Sequence, residues 1–155
     1  MSPPVKEVLV PCKVEIRYTR PLFDSMKYIS SSDEAVAMLR DIIQFEQIDF
    51  KEYFWVILLN EGNRVLGISR IGEGTRNMVA VSVQEIVQLA LLSHAGAVIV
   101  MHNHPSGKLI FSRFDDLITN EITKALRLFD LNLLDHILIT SESHHSMADE
   151  GRLPY

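Results

Sequence analysis

Residues 97–129 read AVIVMHNHPSGKLIFSRFDDLITNEITKALRLF. Ala97–Met101 is a short apolar run, which predicts a buried strand that ends on two histidines. Pro105 and Gly107 then bend the chain away. From about Arg113 to Phe129 the apolar residues Leu117, Ile118, Ile122, Ala125, Leu126 and Phe129 recur at helical spacing, with Ser112 at the cap position. Strand, polar turn and amphipathic helix in this order are parts of an α/β architecture.

The flanking sequence extends the same alternation. Leu133–Thr140 (LLDHILIT) reads as a strand, and His145–Met147 as a short last one. Upstream, Ser82 and Glu85 have the spacing of a capping box, opening a helix over about Val83–Ser93. Tyr53–Leu59 (YFWVILL) is too short for a typical helix and too apolar for an edge, so it predicts a central strand. Asn60–Asn63 makes a hairpin turn into a strand over Arg64–Ile71, and Gly72–Thr75 reads as a loop. A second capping box, Ser31 with Glu34, starts a helix over about Asp33–Phe45. Alternation around Val14, Ile16 and Tyr18 suggests a first strand within Val8–Tyr18. The order β-α-β-β-α-β-α-β-β implies an α/β fold with a mixed sheet covered on both faces. Residues 1–30 read as an N-terminal strand or arm, and residues 31–155 as the domain.

Composition narrows the function classes. The chain has 155 residues, enough for one domain with a core, and is 47% hydrophobic and 23% charged, as soluble proteins are. No apolar run approaches the ~18 residues of a membrane span, and no signal-peptide hydrophobic region opens the chain. Cys12 is the only cysteine, which rules out an internal disulfide and a cysteine-based zinc knuckle and fits a cytoplasmic setting. The net charge is −5 with fifteen scattered basic residues, which argues against strong nucleic-acid binding. Arg70, Arg76, Lys108 and Arg113 could converge into a local patch only through the fold.

His102, His104, Ser112 and Asp115 form the pattern H-x-H-x7-S-x2-D. Side chains two apart on an extended segment share a side, so both imidazoles can face one ion at the end of a buried strand. Asp115 at the start of the following helix can complete a set of two imidazoles and one carboxylate, the donor types of a catalytic zinc site. Read singly, Ser112 and Asp115 are a helix cap, and the two roles partly exclude one another, because an Asp115 that ligates zinc is not expected to bond the cap amide as well. His94, His144 and His145 read as structural, and His136 as a hydrogen-bonded core residue or a support for a ligand. Hydrolysis also needs a carboxylate base that is not itself a ligand. Glu52 stands directly before YFWVILL, but spacing alone favours an exposed strand-start residue. Glu61 falls in a turn, Glu73 in a loop, and Glu85 is accounted for by its cap.

H-x-H-x7-S-x2-D resembles the JAMM motif of the JAB/MPN metalloprotease family. HAGAVIVMHNHPSG, LLDHILIT and HHSMADEGRL are similar to its bacterial RadC-type branch, and the likeness covers roughly residues 31–153. The resemblance implies a three-layer α/β/α, cytidine-deaminase-like fold. It implies one zinc ion per chain held by His102, His104 and Asp115. It matches Glu52 to the catalytic base and Ser112 to the serine that steadies the oxyanion. The chain departs from the branch at Lys108–Phe111, where an apolar lip replaces a polar, proline-bearing loop and bears on substrate choice. The helix-hairpin-helix module of full-length RadC proteins is expected to be missing, which weakens a DNA role.

The expected function is a zinc-dependent metallopeptidase or isopeptidase acting on a peptide or protein substrate. The alternative is a non-catalytic, zinc-stabilised module in a DNA-repair or mobile-element complex. A deaminase is disfavoured because the H-x-E and P-C-x-x-C elements are absent.

Overall fold

Tyr53–Leu59 forms strand β1, and all seven of its side chains are buried. The computed structural model describes residue 19, residues 21–43 and residues 47–155. In it, β1 lies within a five-stranded sheet of order β2-β1-β3-β4-β5. The partners are β2 (Val65–Glu73), β3 (Ala97–Asn103), β4 (Asn132–Ile139) and β5 (His144–Ser146). β3 and β4 run parallel and the other neighbours antiparallel, so the sheet is mixed. The strand proposed within Val8–Tyr18 lies outside the described residues, as do residues 44 and 45 of the first expected helix.

Period-two alternation divides β1 between two cores. Tyr53, Trp55, Ile57 and Leu59 pack with Ile99, Met101 and the helix α1 (Ser32–Ile42). Phe54, Val56 and Leu58 pack with Val98 and Val100 under the helices α2 (Val83–Leu92) and α3 (Arg113–Arg127). The result is three layers, α/β/α. Because β1 and β3 are covered on both faces, neither shows polar alternation, which is why each reads as an unbroken apolar run.

Several boundaries differ from the sequence expectation. α3 ends at Arg127, two residues early: Asp130 turns left-handed at φ 56° and the Leu131 N–H returns to the Leu126 carbonyl, leaving Leu128 and Phe129 exposed. β4 likewise starts at Asn132 and β5 at His144, one residue earlier than read. The largest change is in β2, which runs through Gly72 and Glu73, paired with Phe54 and Tyr53, where a loop was expected. Gly72 is there for close approach, since a Cβ would lie 2.6 Å from the Ala80 carbonyl oxygen.

One register decides where chemistry is possible. β1 pairs antiparallel with β3 so that Phe54 stands opposite His102. Two residues before Phe54 is Glu52, and two after His102 is His104, so the pairing carries the glutamate toward the histidines. Among the described residues no helix is long and apolar enough to cross a membrane.

Candidate metal centre

His102 shares the face of β3 that carries Val98 and Val100, and its ring stacks on Phe54 with centroids 6.1 Å apart. His104 follows just past the strand. The two Nε2 atoms lie 3.1 Å apart. The Pro105–Gly107 turn then reverses the chain, with Gly107 at φ 75° and its N–H on the His104 carbonyl. That reversal brings the Lys108 carbonyl oxygen 3.0 Å from His104 Nδ1. A carbonyl only accepts, so Nδ1 carries the proton and Nε2 presents a lone pair. Burial pushes the His104 pKa down, further favouring the neutral imidazole that binds metals.

Asp115 arrives from the first turn of α3. Its Oδ1 lies 3.2 Å from His102 Nε2, and its Oδ2 lies 3.7 Å from His104 Nε2. Ser112 caps the same helix: its Oγ accepts from the Asp115 N–H at 3.2 Å, and its own N–H donates to Asp115 Oδ2 at 2.5 Å. The expected competition between capping and facing the histidines therefore does not occur. A carboxylate has two oxygens, and one binds the cap amide while the other faces His102. Burial would raise the Asp115 carboxyl; a protonated His102 would hold it well below the usual range, and with His102 neutral the Ser112 N–H still opposes the burial.

Glu52 is buried at 6% exposure, not an exposed strand-start residue. Its N–H donates to the Thr75 carbonyl and its carbonyl accepts from Gly74, each at 2.8 Å. A carboxylate oxygen comes within 4.8 Å of the ligand atoms of both histidines. Burial pushes its pKa up, the Asp115 charge adds to that, and His102 opposes it. The two carboxylates are thus set apart, one held ionised by partners and one made a better proton acceptor by burial. Glu73 instead pairs with Lys51 at 2.6 Å. His144 faces Asp33 and His145 faces Glu150, away from the cluster.

These residues fit a metal ion. Zinc with bonds of about 2.0–2.1 Å in a tetrahedron has ligand atoms roughly 3.3 Å apart. The three contacts among His102, His104 and Asp115 are 3.1, 3.2 and 3.7 Å. The His104 lone pair and the Asp115 carboxylate facing one point repel each other unless a proton or a cation stands between them.

Three residues that the motif did not single out brace the site. Asn103, between the histidines, points to the other face. Its Oδ1 accepts from the Tyr53 N–H at 2.7 Å, and its Nδ2 donates to the carbonyls of Ile48 (2.6 Å) and Lys51 (2.7 Å). It pins the chain on both sides of Glu52. An Asn inside a buried strand is itself a signal, because strands disfavour it. Asn103→Ala should cost about 2–3 kcal/mol in urea unfolding of the metal-free protein, since it leaves buried backbone groups unpaired. A loss under half of that would mean water replaces the amide. His136 and Thr119 lie behind His102: His102 Nδ1 is 2.8 Å from His136 Nε2, and His136 Nδ1 is 2.6 Å from Thr119 Oγ1. His136 is completely buried, and burial keeps its pKa well below the usual value. Its expected role as a hydrogen-bonded support agrees with this.

The profile of the RadC-like JAB domain family matches residues 29–152. The chain belongs to this family. A UPF0758 protein of Flavobacterium johnsoniae is 36% identical over 126 residues, covering 81% of this chain and 54% of the relative. A UPF0758 protein of Paracidovorax citrulli is 42% identical over 100 residues, or 64% of this chain and 42% of the relative. One from Pseudoalteromonas translucida is 43% identical over 101 residues, 65% and 45% of the two chains. The chain spans about half the length of the curated relatives it matches. In this RadC-like JAB domain the conjunction of two histidines with Asp115 and Glu52 is the feature with chemical potential.

Proposed function

We propose that this RadC-like JAB domain is a zinc-dependent hydrolase of amide bonds, a metallopeptidase or isopeptidase. The observation that carries the reading is a pair of buried carboxylates in opposite electrostatic states beside two converging imidazoles. His102, His104 and Asp115 would hold the ion, which when bound supplies Lewis acidity toward the scissile carbonyl. Glu52, with its raised pKa, takes the proton of the attacking water and passes it to the departing nitrogen as the C–N bond breaks. Ser112 Oγ accepts from a backbone amide, so its hydroxyl proton is available to donate to the carbonyl oxygen as charge develops there.

The surroundings support a peptide substrate. A cleft of about 1090 Å³ is lined by Glu52, His104, Ser112 and Asp115 and by the apolar side chains of Phe50, Met78, Ile110 and Phe114. That is room for several residues. Only part of the Lys108–Phe111 segment forms the expected lip. Ile110 is 74% exposed at the cleft, whereas Phe111 is 7% exposed and packs with Leu138 and Met147, edge-on to His136. Arg76 and Lys108 also line the cleft, beside Asp49.

The test is hydrolysis of a peptide library by the zinc-loaded protein, stopped by a chelator and restored by zinc. Ile110→Asp should raise KM about tenfold, the loss of one apolar contact, with kcat and zinc content unchanged. No cleavage of any peptide by fully zinc-loaded protein would overturn the hydrolase reading.

A further inference from the structure

Behind His102 runs a chain of buried hydrogen bonds whose direction is set by its last member. Thr119 Oγ1 lies 2.5 Å from the backbone carbonyl oxygen of Asp115, one helical turn earlier in α3. The carbonyl can only accept, so the single hydroxyl proton of Thr119 goes to it. The reverse choice would set oxygen lone pairs against each other at that distance. Met147 Sδ, at 3.7 Å, is a weaker acceptor, and a proton given to it would equally be turned away from His136. Thr119 Oγ1 must then accept from His136 Nδ1. His136 is 0% exposed and neither ring nitrogen touches a carboxylate, so it is a neutral imidazole with one proton, already committed to Nδ1. Its Nε2 can only accept, and the donor opposite it is His102 Nδ1. The proton of His102 is thereby placed on the far side of the ring from Asp115 and His104.

We propose that Thr119 and His136 are positioning residues that dictate which ring nitrogen of His102 carries its proton, and so hold its Nε2 open for a metal ion. The relay begins at the backbone of Asp115 and ends opposite that residue's own carboxylate. Seating of α3 and the tautomer of His102 are therefore set by the same contacts. Histidine ligands are commonly oriented by a carboxylate or a backbone carbonyl on the other nitrogen. Here a second histidine and a threonine stand between the ligand and the carbonyl. The inference rests on the site being a metal centre and does not require turnover.

The experiment is nitrogen NMR of the imidazoles in the metal-free wild-type chain at about pH 9, where histidines are neutral. It is paired with zinc affinity by chelator competition for Thr119→Val and Thr119→Ser. The expected result is His102 protonated at Nδ1 with a bare Nε2. Thr119→Val, which keeps the shape and loses the hydroxyl, should bind zinc about 10–100-fold more weakly. Thr119→Ser should recover most of that affinity. A packing role alone predicts the opposite ranking, because serine loses the methyl group and valine does not. His102 protonated at Nε2 in the wild type, or zinc held by Thr119→Val as tightly as by wild type, would overturn the proposal. The wild-type spectrum decides even if the valine variant does not fold. Failure of the peptide assay with this relay intact would count against the hydrolase reading only.

Discussion

Glu52→Gln is expected to keep its zinc and to lower peptide turnover by about 10²–10⁴-fold, the usual contribution of a general base. The two measurements, metal content and kcat, are made on the same preparation, so a loss of metal cannot pass for a loss of chemistry. Gln has nearly the volume of Glu, and the backbone bonds of residue 52 to Thr75 and Gly74 do not involve its side chain. The same variant carries a signature in metal-free protein. Burial raises the folded-state pKa of Glu52 above its ordinary 4.5. A carboxyl raised in this way contributes stability that is fully present below 4.5 and is lost as pH climbs through the folded value. Metal-free Glu52→Gln should therefore melt higher than wild type at neutral pH, and the difference should vanish as the pH is lowered toward the ordinary value. Wild-type activity in the variant would remove Glu52 from the mechanism.

His104→Ala should reduce zinc from about one ion per chain to little, with affinity falling about 10²–10³-fold. That is the share of one ligand if a four-ligand site binds with 10–16 kcal/mol. His104 is only partly buried and follows the last residue of β3, so removing its ring leaves both cores in place and the metal-free stability close to wild type. A folded variant that still retains one tightly held zinc would show that the ion does not need His104. Among the described residues Glu52 also offers a carboxylate oxygen within 4.8 Å of the ligand atoms of His102 and His104, and it would be the first replacement to examine.

Local rules made most of the architecture legible. β1 and β3 announce themselves as apolar runs because both faces of a central strand are covered, and Ser31, Ser82 and Ser112 mark helix starts because each accepts from a backbone N–H at the third residue. Helix ends were read less well. The apolar period of α3 runs on into Leu128 and Phe129, while the left-handed turn at Asp130 is a matter of how the chain must reach β4. Gly72 reads as part of a loop because a sequence does not reveal that the Ala80 backbone, outside any strand, presses on it.

The same division holds at the site. By itself the sequence determined the candidate donors: His102 and His104 share a side because strand side chains alternate, and Asp115 joins Ser112 because residues three apart meet on the first turn of a helix. The state of each group was decided only by tertiary structure. Burial of Glu52 depends on β1 pairing with β3 at one register, the split duty of Asp115 on the approach of α3 to the sheet, and the exposure of Ile110 beside a buried Phe111 on a loop packing against β4. The tautomer of His102 depends on Thr119 and His136, which are 17 positions apart in sequence. A side chain's type and spacing are local properties of the chain, whereas its solvation and hydrogen-bond partners come from elements distant in sequence.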